Sequence, residues 1–444
     1  MIKSKSELLH NIHQHFDNKP YPDIPLDQSP KTDYQSLYIH NFVTSYYLRN
    51  QKVIDTKGKV ILDAGCGSGY TSLVLAEANP GATIVGIDIS EESVKIARQR
   101  LDYHGFENTT YFHAISLENL SDLSLEFDYI NNDEVLYLLP DINEGLSAMK
   151  DVLKQDGIIR TNLHNSSQRA GFFRAQKIFE ILGVKGGNSN TALELVRETM
   201  AALKDNVLLK SRNWNSDIAG CDQRIMSNYL LLGDKGYTIP ETFAALRSAA
   251  LEFISMVKWR QWEVIDLFKE PDSLIPFLEM SLPEISVEER LYLFELLHPI
   301  HRLIDFWCGH PHQDQSFLPV GEWTLSDWQT ARVHLHPQLN NSQFKADLIE
   351  CINEHKPFEI SCYVPLPTLQ PIFIESHVAA CLLPLWEGVQ SVDSLTQRWL
   401  QLNPFHPATV EPISYETAFD EVKKLLTNLE SFLYVLLDKP ERSL

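Results

Sequence analysis

Residues 60–69 read Val-Ile-Leu-Asp-Ala-Gly-Cys-Gly-Ser-Gly, and residues 84–89 read Ile-Val-Gly-Ile-Asp-Ile. The apolar run Val60–Leu62 ends in an acid and a glycine-rich turn. A helical pattern follows, and a second apolar run closes on Asp88. This order is that of a βαβ unit, whose ligand crevice lies outside the carboxyl ends of its strands. Gly65, Gly67 and Gly69 are spaced G-x-G-x-G, and Tyr70 stands where the dinucleotide fingerprint would have its third glycine. A bulky residue at the helix start hinders the close approach that a pyrophosphate needs. A nucleoside ligand without phosphates needs only the tight turn and room for its other end.

Three later segments follow in a fixed order: VGIDIS at 85–90, FDYINNDEVLYLLPD at 127–141 and LKQDGIIR at 153–160. With the glycine loop they make Val60–Leu163 resemble the class I S-adenosylmethionine-dependent methyltransferases. The resemblance implies that S-adenosylmethionine is the cofactor and that its methyl group moves by in-line transfer to a nitrogen or oxygen. The acceptor is a small molecule or natural product, or a protein side chain.

Alternating strands and helices with short links predict a doubly wound, Rossmann-like, mostly parallel sheet. The strands expected are Val60–Asp63, Ile84–Asp88, Thr110–His113, Tyr129–Asn131 and Gly157–Asn162, with helices over Thr71–Ala78 and Glu92–His104. Residues 165–235 read as a helical insertion with a polar loop at 187–190. Ala250–Val257 reads as a sixth strand, and Ile304–Trp307 as a closing strand or a helix. Residues 1–50 are expected to be an N-terminal helical cover, with an amphipathic helix over 1–18 and a proline-stiffened loop at 20–25. Residues 51–312 form the cofactor-binding domain. Residues 313–444 form an α+β accessory domain with a helix–turn–helix-like pair (His377–Trp386, Val392–Leu402) and a long last helix, Tyr415–Leu437. This last part resembles the small C-terminal regulatory modules of some bacterial protein methyltransferases.

The resemblance assigns cofactor contacts to the loop (Asp63, Gly65, Cys66, Gly67, Gly69), with Cys66 read as a space-filler and not a nucleophile. Asp88 grips both ribose hydroxyls, as a strand-end acid does in NAD enzymes, and Ile89 walls the adenine. Ser116 stands where the family often has an Asp for the adenine amino group, with Leu117 beside it. Asn131 is assigned to the methionine end of the cofactor. Asp133, Glu134 and His164 are the catalytic candidates, as amine-binding acids or as a base. Tyr38, with Tyr21, Tyr46 and Tyr47, is a candidate aromatic wall for the sulfonium.

The chain has 444 residues with 59 acidic and 38 basic ones, a net charge of −21 that disfavours a nucleic-acid partner. Nothing approaches the length of a membrane span. Six cysteines without C-x-x-C spacing read as reduced thiols in a cytoplasmic protein. The histidines at 298, 301, 310, 312, 334 and 336 read as polar packing at a domain junction, and no metal site is expected. The C-terminal domain is a candidate homodimer contact. A second reading also fits: a non-catalytic cofactor-sensing or assembly protein whose C-terminal domain binds a partner. Ser116 in place of an acid and the lack of an evident base motivate it.

Overall fold

The computed structural model describes residues 21–106, 109–184, 189–270, 273–313, 317–364, 370–406 and 408–439. The expected helix over 1–18 and residues 187–188 of the expected polar loop lie outside them.

The apolar runs become the strands β1 (Val60–Ala64), β2 (Thr83–Asp88), β3 (Thr110–Ala114), β4 (Phe127–Asn132) and β5 (Leu153–Asn165). β5 is longer than the expected Gly157–Asn162. Its residues Ile158–His164 pair with β8 (Leu303–Gly309), which runs antiparallel beside it and is a strand along its whole length. β7 (Glu252–Met256) closes the sheet, whose order is β3-β2-β1-β4-β5-β8-β7; the short β6 (Gly236–Tyr237) pairs with the end of β5. β1 to β6 are parallel to their neighbours, and the pairs β5–β8 and β7–β8 are antiparallel. Strands buried on both faces need apolar runs without alternation, and Ile61, Leu62, Ile84, Val85, Ile130 and Ile159 supply them with almost no exposure.

Two helices shape the glycine loop. α1 (Tyr70–Ala78) starts directly after it, and α2 (Glu91–Tyr103) is capped by Ser90, whose hydroxyl accepts from the Ser93 amide. Gly69 adopts a φ of +82°, and a Cβ there would lie 2.6 Å from the Ala97 Cα. The third glycine is therefore required for packing of one helix against the other.

The pair of helices Tyr34–His40 and Val43–Asn50 is wedged between the sheet and the C-terminal domain. Tyr38 is 1% exposed and belongs to the C-terminal core with Trp328, Leu339 and Phe344. The Tyr46 hydroxyl donates to the Asp128 carbonyl, and that of Tyr47 to Glu430 Oε1 and the Leu437 carbonyl. Tyr38 and Tyr47 reach into the C-terminal part and Tyr46 packs in the core of the sheet, so the expected sulfonium wall does not include them. A tyrosine with one polar tip serves a domain junction as readily as a ligand site, and the sequence alone does not separate the two.

In the C-terminal domain Arg332–Leu335 is flanked by Gln390–Ser391 and Val435–Asp438 in a three-stranded antiparallel sheet. The last helix spans Tyr415–Glu430 and stops short of the expected Leu437. Leu433 turns the chain with a φ of +57°, and Val435–Asp438 then pairs with Arg332–Leu335. The apolar run that reads as a helix end is a buried strand, an ambiguity inherent in short apolar runs.

Candidate functional site

The parallel strands β1, β2, β3 and β4 deliver the glycine loop, Asp88, Ser116 and Asp133–Glu134 to one edge of the sheet. Asp88 is half-buried there. Its Oδ2 accepts from the Gly67 amide at 3.0 Å and its Oδ1 from the Ser90 amide at 2.9 Å. Ile89 and Ser116 are half-buried beside it, and Leu117 is buried.

The loop amides are all engaged within the chain. Those of Gly65 and Cys66 donate to the Ile87 carbonyl, that of Ser68 to Tyr21, and that of Gly69 to Cys66. With the Gly67 amide on Asp88, no amide of 65–69 points outward to a phosphate, which dinucleotide binding at a helix start requires. This is a second reason, beside the bulk of Tyr70, for a ligand without phosphates. A half-buried carboxylate, an apolar wall and a serine hydroxyl fit a ribose and an adenine. Gly65 and Gly67 have φ values of +91° and +49°; a Cβ on the first would collide with the Val135 side chain, and on the second with the Tyr21 carbonyl. Cys66 is 2% exposed with its thiol against Gly86, which agrees with a space-filler; burial pushes the thiol well up.

Residues 21–26 lie across this loop. Ser68 Oγ donates to the Pro22 carbonyl at 2.6 Å. Arg100, 1% exposed, donates to three carbonyls: Ser68 at 3.0 Å, Pro25 at 2.6 Å and Ile24 at 2.7 Å. Tyr21 is 53% exposed, and its phenol is raised by partial burial and by the nearby Glu134 and Asp133 carboxylates. Of the four expected tyrosines, Tyr21 alone is placed beside the site.

Asp63 and Asn131 stand behind the edge and are not exposed on it. Asp63 accepts from Ser72 Oγ at 2.6 Å and from Asn131 Nδ2 at 3.0 Å, and burial raises its carboxyl. Asn131, 0% exposed, accepts in turn from Arg160 Nη1 at 2.9 Å. Their hydrogen bonds support the loop from beneath; the expected direct contact of Asn131 with the methionine end is not what the structure places there. Arg160 is the centre of this support. It pairs with Asp305 through Nε at 3.1 Å and Nη2 at 2.9 Å, and its Nη2 also lies 3.4 Å from Asp133 Oδ1. Burial opposes its charge, but Asp133 and Asp305 outweigh that and hold the guanidinium protonated. Burial alone would likewise raise Asp133, yet Arg160 and His40 hold it well below the carboxylate range. His40 Nδ1 lies 2.7 Å from the Ser36 carbonyl, and its Nε2 lies 3.0 Å from Arg160 Nη1 and 3.8 Å from Asp133 Oδ2.

Glu134 has a φ of +60° and pairs with Arg302 through both oxygens. It accepts from the Tyr137 hydroxyl at 2.6 Å. Burial would raise its carboxyl, but His164 and Arg302 bring it down to about 2. His164, at the end of β5, is 1% exposed, stacks on Tyr137 with ring centres 3.8 Å apart, and holds Asp234 Oδ1 at 2.6 Å through Nδ1. The structure thus brings Asp133, Glu134 and His164 together beside the Asp88 edge.

Sequence reasoning missed Arg160, Arg302, Asp305, Arg100 and Asp234. Arg160 carried a signal: an arginine inside an apolar strand demands a buried acid. Asp234 follows a 70-residue excursion from His164, and its neighbourhood gives no local sign. Four of the six histidines of the domain junction have separate partners: His301 with the Gln261 carbonyl, His310 with that of Leu153, His334 with Asp438, and His336 with Thr44.

Residues 55–229 match the family described as "Methyltransferase domain". Over that segment the chain carries a class I S-adenosylmethionine-dependent methyltransferase domain, with S-adenosylmethionine as its cofactor. An uncharacterised protein of Synechococcus sp. is 27% identical over 316 residues, 70% of this chain and 73% of that protein. The ubiquinone biosynthesis O-methyltransferase of Actinobacillus pleuropneumoniae is 29% identical over 145 residues; the match spans 32% of this chain and 60% of that enzyme's length. PKMT2 from Rickettsia typhi in complex with AdoHcy shares the fold with a TM-score of 0.58 and 13% identity, covering 95% of this chain and 77% of that one. Among the described residues no helix is long and apolar enough to cross a membrane.

Proposed function

We propose that this chain methylates a nitrogen or oxygen of a small-molecule or protein acceptor held between the Asp88 edge and the Asp133–Glu134–His164 cluster. The observation that carries the reading is the meeting of those two groups on one sheet edge, with Tyr21 beside them. The bound cofactor supplies a sulfonium-activated methyl group. Asp88 grips the ribose diol, Ile89 and Leu117 wall the adenine, and Ser116 meets its edge. Gly65 and Gly67 keep the loop thin enough for the remainder. Asp133 and Glu134 stay ionised because guanidinium groups face them, and their charge favours a sulfonium nearby. The Tyr21 ring and the segment behind it exclude water from the methyl end. An in-line reaction needs little more than a nucleophile at near-attack distance.

Residues 313–444 form the accessory domain in this reading, and the exposed Phe373, Phe405 and Val410 support a homodimer contact there. Six unpaired thiols support a cytoplasmic location. Incubation of the protein with methyl-labelled cofactor in an extract of the source organism tests the whole. Label in a protein band or in the small-molecule fraction is the expected result and tells the two acceptor classes apart. Label in neither, above a heat-killed control, would count against an enzyme and for the non-catalytic alternative.

A further inference from the structure

α2 turns Ser93, Val94, Ala97, Arg100 and Leu101 inward, the i, i+3, i+4 stripe of a helix packed on its neighbours. Four of these are small or apolar, and the fifth is an arginine that is 1% exposed. Arg100 stands in the last turn of α2, where the helix carbonyls favour a cation. A buried charge is usually paired with an opposite one. Here the hydrogen-bond partners are neutral carbonyls, and burial pushes the guanidinium down. Those carbonyls come from two separate stretches of chain. Nε donates to Ser68 of the glycine loop at 3.0 Å, Nη1 to Pro25 at 2.6 Å and Nη2 to Ile24 at 2.7 Å. Segment 21–26 needs such donors. Pro22 and Pro25 bring no N–H of their own, so its carbonyls look to other parts of the chain. The Ser68 amide donates to the Tyr21 carbonyl at 2.9 Å, Ser68 Oγ donates to that of Pro22 at 2.6 Å, and His104 Nε2 lies 2.9 Å from that of Leu26. Arg100 takes the two carbonyls between them and reaches back to the loop with its third donor.

We propose that Arg100 is a positioning residue for the cofactor: it holds segment 21–26 on the glycine loop, so that Tyr21 stands between the loop and the Asp133–Glu134 pair, and bound cofactor leaves only when that segment lets go. This rests on the cofactor reading above and extends it to a side chain that touches no ligand. The segment lies directly on the loop, since a Cβ on Gly67 would collide with the Tyr21 carbonyl. At the other side of Tyr21, its phenol feels the charges of Glu134, Arg302 and Asp133. One end of the segment therefore meets the acid pair, and the other is tied to the end of α2. Lifting it would take from Arg100 two of its three acceptors at once, and from Ser68 both of its bonds to Tyr21 and Pro22. A cation left in a buried place with one carbonyl must be hydrated. The segment is thus either seated or released, with little between. Arginine suits the place because a rigid fork spans two stretches of chain, whereas an ammonium is a single point.

The test uses the full chain with Arg100→Met, Arg100→Lys and Ser68→Ala. Dissociation of tritiated adenosylhomocysteine is followed after a chase with the unlabelled compound, and association is followed under ligand excess. Arg100→Met should speed dissociation by about 10-fold or more and leave association no slower, since hydrogen bonds from a charged group to the segment are lost. Arg100→Lys keeps the charge without the fork and should behave as Arg100→Met does. Ser68→Ala removes the bond to Pro22 alone and should speed dissociation by about threefold. It strands no charge, so it carries the test if the Arg100 variants do not fold. Hydrogen exchange at the Ser68 amide, which the Tyr21 carbonyl covers, gives a readout without ligand. Faster exchange there is expected in all three variants, with the amides of β1 unchanged. A role confined to stability would lower the melting temperature and leave the dissociation rate alone, and that result would overturn the proposal. So would slower association with unchanged dissociation, wild-type rates in Arg100→Lys, or unchanged exchange at Ser68. No binding by the wild type would sink the cofactor reading and this inference with it, while the Ser68 amide would still show whether Arg100 holds the segment.

Discussion

Gly67 has a φ of +49°, and a Cβ on it would collide with the Tyr21 carbonyl oxygen. The substitution Gly67→Ala therefore acts first on residues 21–26. It should release that segment from the loop and make it sensitive to protease, while the sheet core keeps its protection in hydrogen exchange. A segment that stays protected in Gly67→Ala would contradict the contact. Glu134 gives a pH-dependent prediction at the same scale. Its carboxyl lies at about 2 in the folded chain against an ordinary 4.5. The unfolded chain thus binds the proton first, so this stabilisation is complete above about pH 4.5 and is lost as the pH falls towards 2. Glu134→Gln should flatten the fall of the melting temperature in that window, and an unchanged slope would show that Arg302 and His164 do not hold the acid. Asp88 was legible as a residue of the loop edge because a strand end and a Gly-rich turn fix its place. Asn131 was legible as a neighbour of the site but not as a support, because its partner Arg160 lies on another strand.

Among the elements, the five parallel strands were readable because each is a short apolar run between turn signals. The pairing of β8 with Ile158–His164 of β5, the short β6 and the strand at Val435–Asp438 were not. They depend on partners more than 70 residues distant, and local patterns carry no trace of such pairing. The helix pair 34–50 shows the same limit: its tyrosines look like a ligand wall and turn out to be core and domain contacts. Arg160 joins three strands, β4 through Asn131, β5 by its own position and β8 through Asp305. Asp305→Asn removes one partner of a buried charge pair, a change that costs about 3–5 kcal/mol. Equilibrium unfolding in urea should register a loss of that size, together with weaker support of the loop above Asn131. A loss well below about 1 kcal/mol would mean that the pair contributes little to the site's frame.

Over the whole molecule the C-terminal domain is built into the catalytic one. Tyr38 fills the C-terminal core, and Val43 and Tyr47 form a joint cluster with Leu433 and Leu436. His336, buried and pushed down to about 3, meets Thr44 Oγ1 at 3.0 Å. Since the neutral ring is the folded form, its contribution is complete above about pH 6.5 and declines as the pH falls towards 3. These contacts predict one cooperative thermal transition for the whole chain, read by calorimetry, in place of two separable ones. Two transitions would restore the expectation of an independent module at 313–444.

The account depends most on Asp88 as the grip on a cofactor ribose. Calorimetric titration of adenosylhomocysteine into the wild type and into Asp88→Ala tests it directly. Saturable binding to the wild type with one site, weakened by about 10-fold or more in the variant, is the predicted result, since losing a hydrogen bond to a charged group costs about 1.5–3 kcal/mol. Equal affinity in the two proteins, or no binding to the wild type, would contradict it.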